Sequence, residues 1–384
     1  MPWKGTTMSQ RQEFVRFALA GDANIRELCR RYGISPTTAY KLIGRYDSQG
    51  PSALADRSRR PLHSPSKTSP VIEQAVVRLR KEHPRWGSRK ILRRLRDPSC
   101  PQAKGLDLGE LPASSTVTDI LRRHGLIDPQ ESVKHQPWQR FEKDHPNDLW
   151  QMDFKGHFAV GQQRCHPLVI VDDHSRFSLC LHAFPNEHLE PVRSQLEQVF
   201  GAYGLPVAML CDNGRPWGAS DRPYTKLSAW MIRLGIRVSH GRCRHPQTQG
   251  KVERFNRTLK AEALWGRHFE DMTQVQQSLD AWRGVYNLKR PHEALGMAVP
   301  ASRYQPSPRN LPRTLPPIEY GPGDQVRMVQ SNGYIHLRGR TLFLSEAFAG
   351  QPVALRPTEQ DGLLEVYYCH QKIDQIDLKT DNPN

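Results

Sequence analysis

Three acidic residues of this chain lie in segments that together could cut or join a phosphodiester: Asp153, Asp212 and Glu253. The two aspartates follow apolar, strand-like residues, and Glu253 opens a segment with helical spacing. Carboxylates from two strand ends and a helix can hold two magnesium ions, for which manganese can substitute. One ion would activate a water or a 3′-hydroxyl, and the other would stabilise the departing oxygen. We therefore predict that all three are metal ligands and catalytic residues.

Each acid alone also has a simpler interpretation. Asp153 could be a surface acid of an edge strand, and Asp212 belongs to the turn-like sequence Asp212-Asn-Gly214. Glutamates on helices, such as Glu253, are usually solvated. The order of the elements, a strand, a later strand end and then a helix, is what favours one shared site.

The segment that carries Glu253 is rich in basic residues at helical spacing. Such a helix can lie along a DNA backbone while its acid enters the site, whereas the alternative is a solvated basic face. The predicted DNA contacts on this helix are Lys251, Arg254, Asn256, Arg257 and Lys260.

The composition favours a polyanionic partner. Lys and Arg exceed Asp and Glu by 16 in 384 residues, and most of that excess precedes residue 148. Such a balance suits nucleic acid or an anionic membrane surface, and the length predicts several domains. No apolar run is long enough to span a membrane. The seven cysteines are scattered and fit neither a disulfide framework nor a zinc finger, so a cytoplasmic location is expected.

Residues 1–50 are predicted to form a helix-turn-helix unit. Gly33 separates two apolar stripes, and Ser35-Pro36 has the form of a helix N-cap followed by proline. A three-helix bundle without DNA binding is the alternative. The predicted groove-facing residues of the helix after Pro36 are Thr37, Thr38, Tyr40, Lys41 and Arg45.

A basic linker is predicted over residues 51–70, where Arg57, Arg59 and Arg60 could contact phosphates. Residues 71–128 repeat the helix-turn-helix pattern, and a second linker covers 129–147. From 148 to 305, strands followed by alternating helices and strands predict a mixed-sheet α/β domain. Residues 306–384 predict a linker and a small β-barrel or sandwich. The predicted fold class is therefore multi-domain α+β.

Longer motifs resemble those of a known family. The matching segments are Trp150-Gln-Met-Asp153, Val171–Arg176, Asp212-Asn-Gly214, the run from His245 through Glu253 to Lys260, and Tyr286–Gly296. They resemble the integrase core of the DDE transposases of bacterial insertion sequences, a core shared with retroviral integrases. Leu54–Pro61 and its two flanking helical units also look like that family.

The resemblance implies an RNase H-like catalytic core with Asp153, Asp212 and Glu253 as its Mg²⁺-binding triad. It implies hydrolysis at the ends of a mobile element and transfer of the 3′ ends to target DNA, which is DNA transposition by recombination and integration. The implied partners are double-stranded DNA, namely terminal inverted repeats and target, and further copies of the chain in a dimer or larger assembly. A bacterial protein of this kind would associate with the nucleoid when it acts.

Two other functions remain open at this point. A DNA-binding regulator with a decayed catalytic core would bind DNA without ever nicking it. A general RNase H-type nuclease would cut without preference for particular ends and would have no need of two sequence-reading modules.

Overall fold

The structure is a computed structural model that describes residues 7–56, 67–106, 109–127, 142–212, 214, 216–218, 224–241 and 250–379. The predicted DNA contacts Arg57, Arg59 and Arg60 lie outside the described residues. The chain divides into two compact units, Met1–Lys67 and Thr68–Asn384.

The first unit is the predicted helix-turn-helix. Its helices are α1 (Thr7–Ala18), α2 (Ile25–Tyr32) and α3 (Pro36–Gln49). Gly33 ends α2 at φ 64°, a left-handed conformation that glycine adopts without steric cost. The Ser35 hydroxyl then accepts a hydrogen bond from Thr38 N at 3.3 Å and caps α3. A 3₁₀ turn, Pro51–Leu54, buries Leu54 completely against this core, so the predicted linker from residue 51 begins with an ordered segment.

The second unit begins with three more helices: α4 (Pro70–Glu82), α5 (Ser88–Leu95) and α6 (Ser114–Arg123). Their apolar faces meet around the buried Trp86. Arg94, a charged residue of α5, is only 5% exposed. Its guanidinium donates to Asp97 Oδ2 at 2.7 Å and also to the Ser99 hydroxyl. These two contacts close the turn after α5.

A mixed sheet forms the centre of the second unit. Its strands are β1 (Trp150–Phe154), β2 (Phe158–Val160), β3 (Gln163–Asp172), β4 (Ser178–Phe184), β5 (Ala208–Cys211) and β6 (Arg237–His240). Strand β1 pairs antiparallel with β3 and parallel with β5, and β5 pairs parallel with β6. Strands β2 and β4 both pair with β3. This is the mixed-sheet core predicted from the sequence.

Helices cover both faces of this sheet: α7 (Leu189–Tyr203), α8 (Lys226–Arg233), α9 (Gly250–Leu259) and α10 (Met272–Leu288), with a π-helical turn at Lys260–Leu264 after α9. Alternate residues of a strand point to opposite faces. In β3, Leu168 and Ile170 accordingly join the core under α7 and α8, whereas Val169 and Val171 pack against α9 and α10.

The C-terminal region is a small β domain, as predicted. Its strands are β7 (Gln325–Met328), β8 (Tyr334–Leu337), β9 (Arg340–Phe343), β10 (Pro352–Pro357), β11 (Leu363–Tyr368) and β12 (Gln371–Asp377). Four of them pair in the order β12-β11-β10-β7, and β8 and β9 form a separate hairpin. Within the described residues these strands form an open sheet and a hairpin rather than a closed barrel.

This β domain shares one apolar core with the central sheet. Val353 and Val366 belong to the same buried cluster as Met231 and Ile236 of the α8–β6 region. The Gln371 amide also binds the free edge of β6, accepting from Val238 N and donating to Val238 O, both at 2.8 Å. None of the described helices is both long and apolar enough to cross a membrane.

Candidate active site

The pairing of β1 with β5 places Asp153 beside Asp212. Met152 lies opposite Cys211 in the parallel register, and each aspartate is the next residue along the chain, Asp153 within β1 and Asp212 directly after β5. Neighbouring strands lie about 4.8 Å apart, so the two aspartates lie side by side at the same level. Asp212 is exposed, whereas Asp153 is half-buried.

Helix α9 runs alongside β1 and brings Glu253 to the same place. Val252 N donates to Gln151 Oε1 at 3.2 Å, and one turn later Asn256 Nδ2 donates to Asp153 Oδ2 at 3.0 Å. Glu253 lies between these two contacts and is exposed. The three acids, which are far apart in the sequence, therefore lie in the same region of the sheet, close enough for Asp212 and Glu253 to act electrostatically on Asp153.

The electrostatics of Asp153 reflect this proximity. Burial, together with the nearby charges of Asp212 and Glu253, raises the pKa of the Asp153 carboxyl to about 7, and the hydrogen bond from Asn256 limits the increase. Carboxylates that repel one another in this way are stabilised when a cation binds to them.

The donor set fits a hard divalent cation because it consists of carboxylate oxygens, which Mg²⁺ prefers. Within the described residues, no three acidic, histidine or cysteine side chains are already gathered as a finished metal site. The structure thus brings the three predicted residues together as neighbours. Their role as metal ligands stays a prediction.

The predicted DNA contacts on α9 divide into two groups. Arg254, Arg257 and Lys260 are exposed. Arg257 and Lys260 follow Glu253 at spacings of four and seven residues, so they share its face of the helix. Lys251 differs, because its side chain is only 16% exposed and its Nζ contacts the buried Asp173 carboxylate.

Asn256, another predicted DNA contact, is half-buried, and its amide is bonded to Asp153. In the first unit, the predicted contacts Thr37, Thr38, Tyr40 and Lys41 are exposed on α3, and Arg45 is half-buried. The hydroxyl of Thr38 lies 2.9 Å from that of Ser35, so Thr38 also takes part in the helix cap.

The acidic pair after β3 shapes the chain rather than forming a second metal site. Asp172 Oδ1 accepts from Asn147 N at 2.8 Å, and its Oδ2 accepts from the Ser175 backbone and hydroxyl at 2.7 and 2.6 Å. Both aspartates are fully buried. They fix the turn at 173–176 and the segment that leads into β1.

Two residues beside the site were not selected from the sequence. Gln151 and Asp173 lie on its buried side, and the strand alternation that puts Gln151 on the face of Asp153 was the available signal. His240, at the end of β6, donates from Nδ1 to the Asp212 carbonyl oxygen at 3.2 Å. Burial lowers the pKa of His240, and its hydrogen bond and charge interaction with Asp212 oppose that change.

Family models match most of the chain. Integrase core domain models match residues 143–246 and 234–300, and a model of the C-terminal domain of IS481 family transposases matches 324–384. A helix-turn-helix domain model matches 10–61, and a homeodomain-like model matches 38–121.

Relatives come from bacterial insertion elements. The uncharacterized 39.2 kDa protein of insertion element IS476 from Xanthomonas euvesicatoria is 26% identical over 237 residues, which is 62% of this chain and 65% of the relative. The 31.7 kDa protein of insertion element IS407 from Burkholderia multivorans is 24% identical over 255 residues, 65% of this chain and 87% of the relative. Among solved structures, a chain of the simian T-cell lymphotropic virus intasome is 18% identical with a TM-score of 0.36, covering 67% of this chain and 90% of that one.

Proposed function

We propose that this chain, which belongs to the integrase-core family of insertion-sequence transposases related to retroviral integrases, binds the terminal inverted repeats of its own mobile element and joins the 3′ ends to target DNA. The reaction would be hydrolysis at each end followed by transesterification. Mg²⁺ is the proposed cofactor, and Mn²⁺ is expected to substitute for it.

The observation that carries this proposal is the position of the three acids beside an exposed basic helix face. Asp153 lies in β1, Asp212 directly follows the adjacent parallel strand β5, and Glu253 lies on the helix that contacts β1. On the same face of α9, Arg257 and Lys260 are exposed. A phosphodiester held by these cations would lie across the carboxylates.

In the proposed reaction the carboxylates of Asp153, Asp212 and Glu253 hold the divalent ions. When bound, the ions supply an activated water or 3′-hydroxyl and stabilise the leaving oxygen. Asn256 orients the Asp153 carboxylate through its 3.0 Å hydrogen bond. Cys211, the residue before Asp212, is no candidate for a protein nucleophile, since it is fully buried and burial raises the pKa of its thiol.

The helical units would select the DNA. The exposed residues of α3 suit a major groove, and two ends must be held together for the joining step. A homodimer or larger assembly on double-stranded DNA follows from that requirement.

A joining assay tests the proposal. Full-length protein is mixed with DNA that carries the sequences flanking its coding region and with a target plasmid, with and without Mg²⁺ or Mn²⁺. We expect metal-dependent nicking at the ends and joined products, and loss of both with Asp153→Asn, Asp212→Asn or Glu253→Gln while end binding persists. Binding without nicking would identify a regulator instead, and cleavage without end preference a general nuclease.

A further inference from the structure

We infer that Gln151, Asp173 and Lys251 form a positioning clamp that fixes the first turn of α9 and so aims Glu253 at Asp153 and Asp212. The inference rests on the proposed function, since it assigns these residues a role in that site. It also replaces the predicted DNA contact of Lys251 with a different role.

Asp173 is the anchor of the clamp. It is fully buried, and its carboxylate accepts hydrogen bonds from Lys143 N at 2.8 Å and Gln151 Nε2 at 2.9 Å. The Lys251 Nζ also contacts its Oδ2. A buried carboxylate is tolerated only when charge and hydrogen bonds compensate it, so Asp173 holds its partners in defined positions.

Gln151 links this anchor to the helix backbone. Its amide nitrogen donates to Asp173, and its amide oxygen accepts from Val252 N at 3.2 Å. Val252 N belongs to the first turn of α9, where backbone N–H groups have no partner within the helix. The Gln151 side chain thus provides a hydrogen-bond acceptor for one free N–H group of the first turn of α9 and connects that turn to the sheet.

The spacing of the contacts fixes both the height and the rotation of α9. Gln151 and Asp153 are two residues apart on β1, or about 6.6 Å. Their partners Val252 and Asn256 are four residues apart on α9, or about 6 Å. Because these two contacts have nearly equal spacing on both elements, they prevent α9 from sliding along β1. The Lys251–Asp173 pair beside them prevents α9 from rotating about its own axis.

Glu253 directly follows the clamped residues. Its exposed side chain has little packing of its own to hold it, so its direction depends on the backbone of Lys251 and Val252. Changes to residues that orient metal ligands typically cost about 10- to 100-fold in metal affinity or activity. We expect effects of that size from the clamp.

The experiment compares Lys251→Met and Gln151→Leu with Arg257→Gln in the full-length chain bound to end DNA. Mn²⁺ binding is measured by electron paramagnetic resonance, joining by the assay above, and end binding as a function of salt. We expect the two clamp variants to need about 10- to 100-fold more Mn²⁺ for half-occupancy, with an unchanged salt dependence of binding. Arg257→Gln should keep Mn²⁺ binding and reduce the salt slope by about 1.

A lower salt slope with normal Mn²⁺ binding for Lys251→Met would overturn the inference and restore the DNA contact. If wild-type protein neither binds Mn²⁺ nor joins DNA, the proposed function fails. If wild type does both and the clamp variants match it, the clamp alone fails.

A double variant separates positioning from folding. Asp173→Asn leaves the Lys251 charge without its carboxylate, and we expect a lower Tm and weaker Mn²⁺ binding. Asp173→Asn combined with Lys251→Met removes both charges, so the Tm should recover while Mn²⁺ binding stays weak. Recovery of Mn²⁺ binding together with the Tm would show that the pair serves stability alone and would overturn its positioning role.

Discussion

Replacing Asp153 by asparagine should stabilise the metal-free protein at pH 8 even though it abolishes joining. The reason is that the folded state raises the pKa of this carboxyl from 3.8 to about 7, mainly by burial and then by the charge of Asp212. Between those pH values the folded state keeps a proton that the unfolded chain releases. Its contribution to stability is therefore complete below about pH 4 and is lost as the pH rises through 7.

The size of the effect follows from the same numbers. A difference of about three pH units corresponds to roughly 4 kcal/mol at about 1.4 kcal/mol per unit. Because solvent reaches part of the Asp153 side chain, we expect roughly 2 to 4 kcal/mol of stabilisation for Asp153→Asn at pH 8. The advantage should shrink to a small value at pH 4.5.

Urea denaturation in the presence of a chelator measures this, followed by tryptophan fluorescence, which reports mainly on the second unit because seven of the eight tryptophans lie there. Glu359→Gln, which removes an exposed acid of the C-terminal β domain, is the control and should leave the midpoint unchanged. If Asp153→Asn were no more stable than wild type at pH 8, burial and the charge of Asp212 would not raise the pKa of Asp153 in the folded state, and the reasoning would be refuted. Added Mg²⁺ should stabilise wild type and have little effect on the variant.

Three further predictions concern separate parts of the chain. Lys260→Gln should weaken DNA binding and lower its salt slope by about 1, as measured by titration at several salt concentrations; an unchanged slope would remove Lys260 from the interface. Glu262→Gln should lower the free energy of unfolding by about 3 to 5 kcal/mol in urea, because the Glu262 side chain, only 10% exposed, accepts from Arg290 Nη2 at 2.9 Å on Oε1 and from Arg290 Nε at 3.2 Å on Oε2; a loss below about 1 kcal/mol would contradict this. Deleting residues 1–56 should abolish end selectivity in footprinting while the second unit keeps its Tm, and unchanged protection of the same base pairs would show that this unit does not read the ends.

The acids could be found from the sequence because each strand end is a local pattern. Met152 and Cys211 are apolar strand residues, and each is followed directly by an aspartate; Asp212 does follow the end of β5, whereas β1 continues past Asp153 to Phe154. The register that puts Asp153 level with Asp212 depends on hydrogen bonds between segments nearly sixty residues apart, which periodicity does not contain.

Lys251 shows that charge alone does not identify a DNA contact. It has the same charge as Arg257, yet it lies four residues before the buried Phe255 and therefore on the inward face of α9. That spacing was a usable signal. Its partner Asp173 was not identifiable from the sequence, since the pairing depends on how α9 packs on the sheet.

Strand β12 could not be predicted from its own sequence. Its sequence, Gln371 to Asp377, is mostly polar and lacks the alternation of a half-buried strand. It forms a strand because the backbone of β11 pairs with it along its whole length and because the Gln371 amide binds β6. The shared core between the β domain and the central sheet is likewise a long-range property.

The Gln371 bridge has a consequence for damaged copies of the gene. A chain that stopped after the central sheet would leave the β6 edge without its amide partner and would uncover the apolar surface around Ile236. Bare edges and apolar patches promote aggregation. Gene copies interrupted near their 3′ end are thus expected to produce insoluble polypeptides. Such truncated chains would not compete with the intact protein for its binding sites.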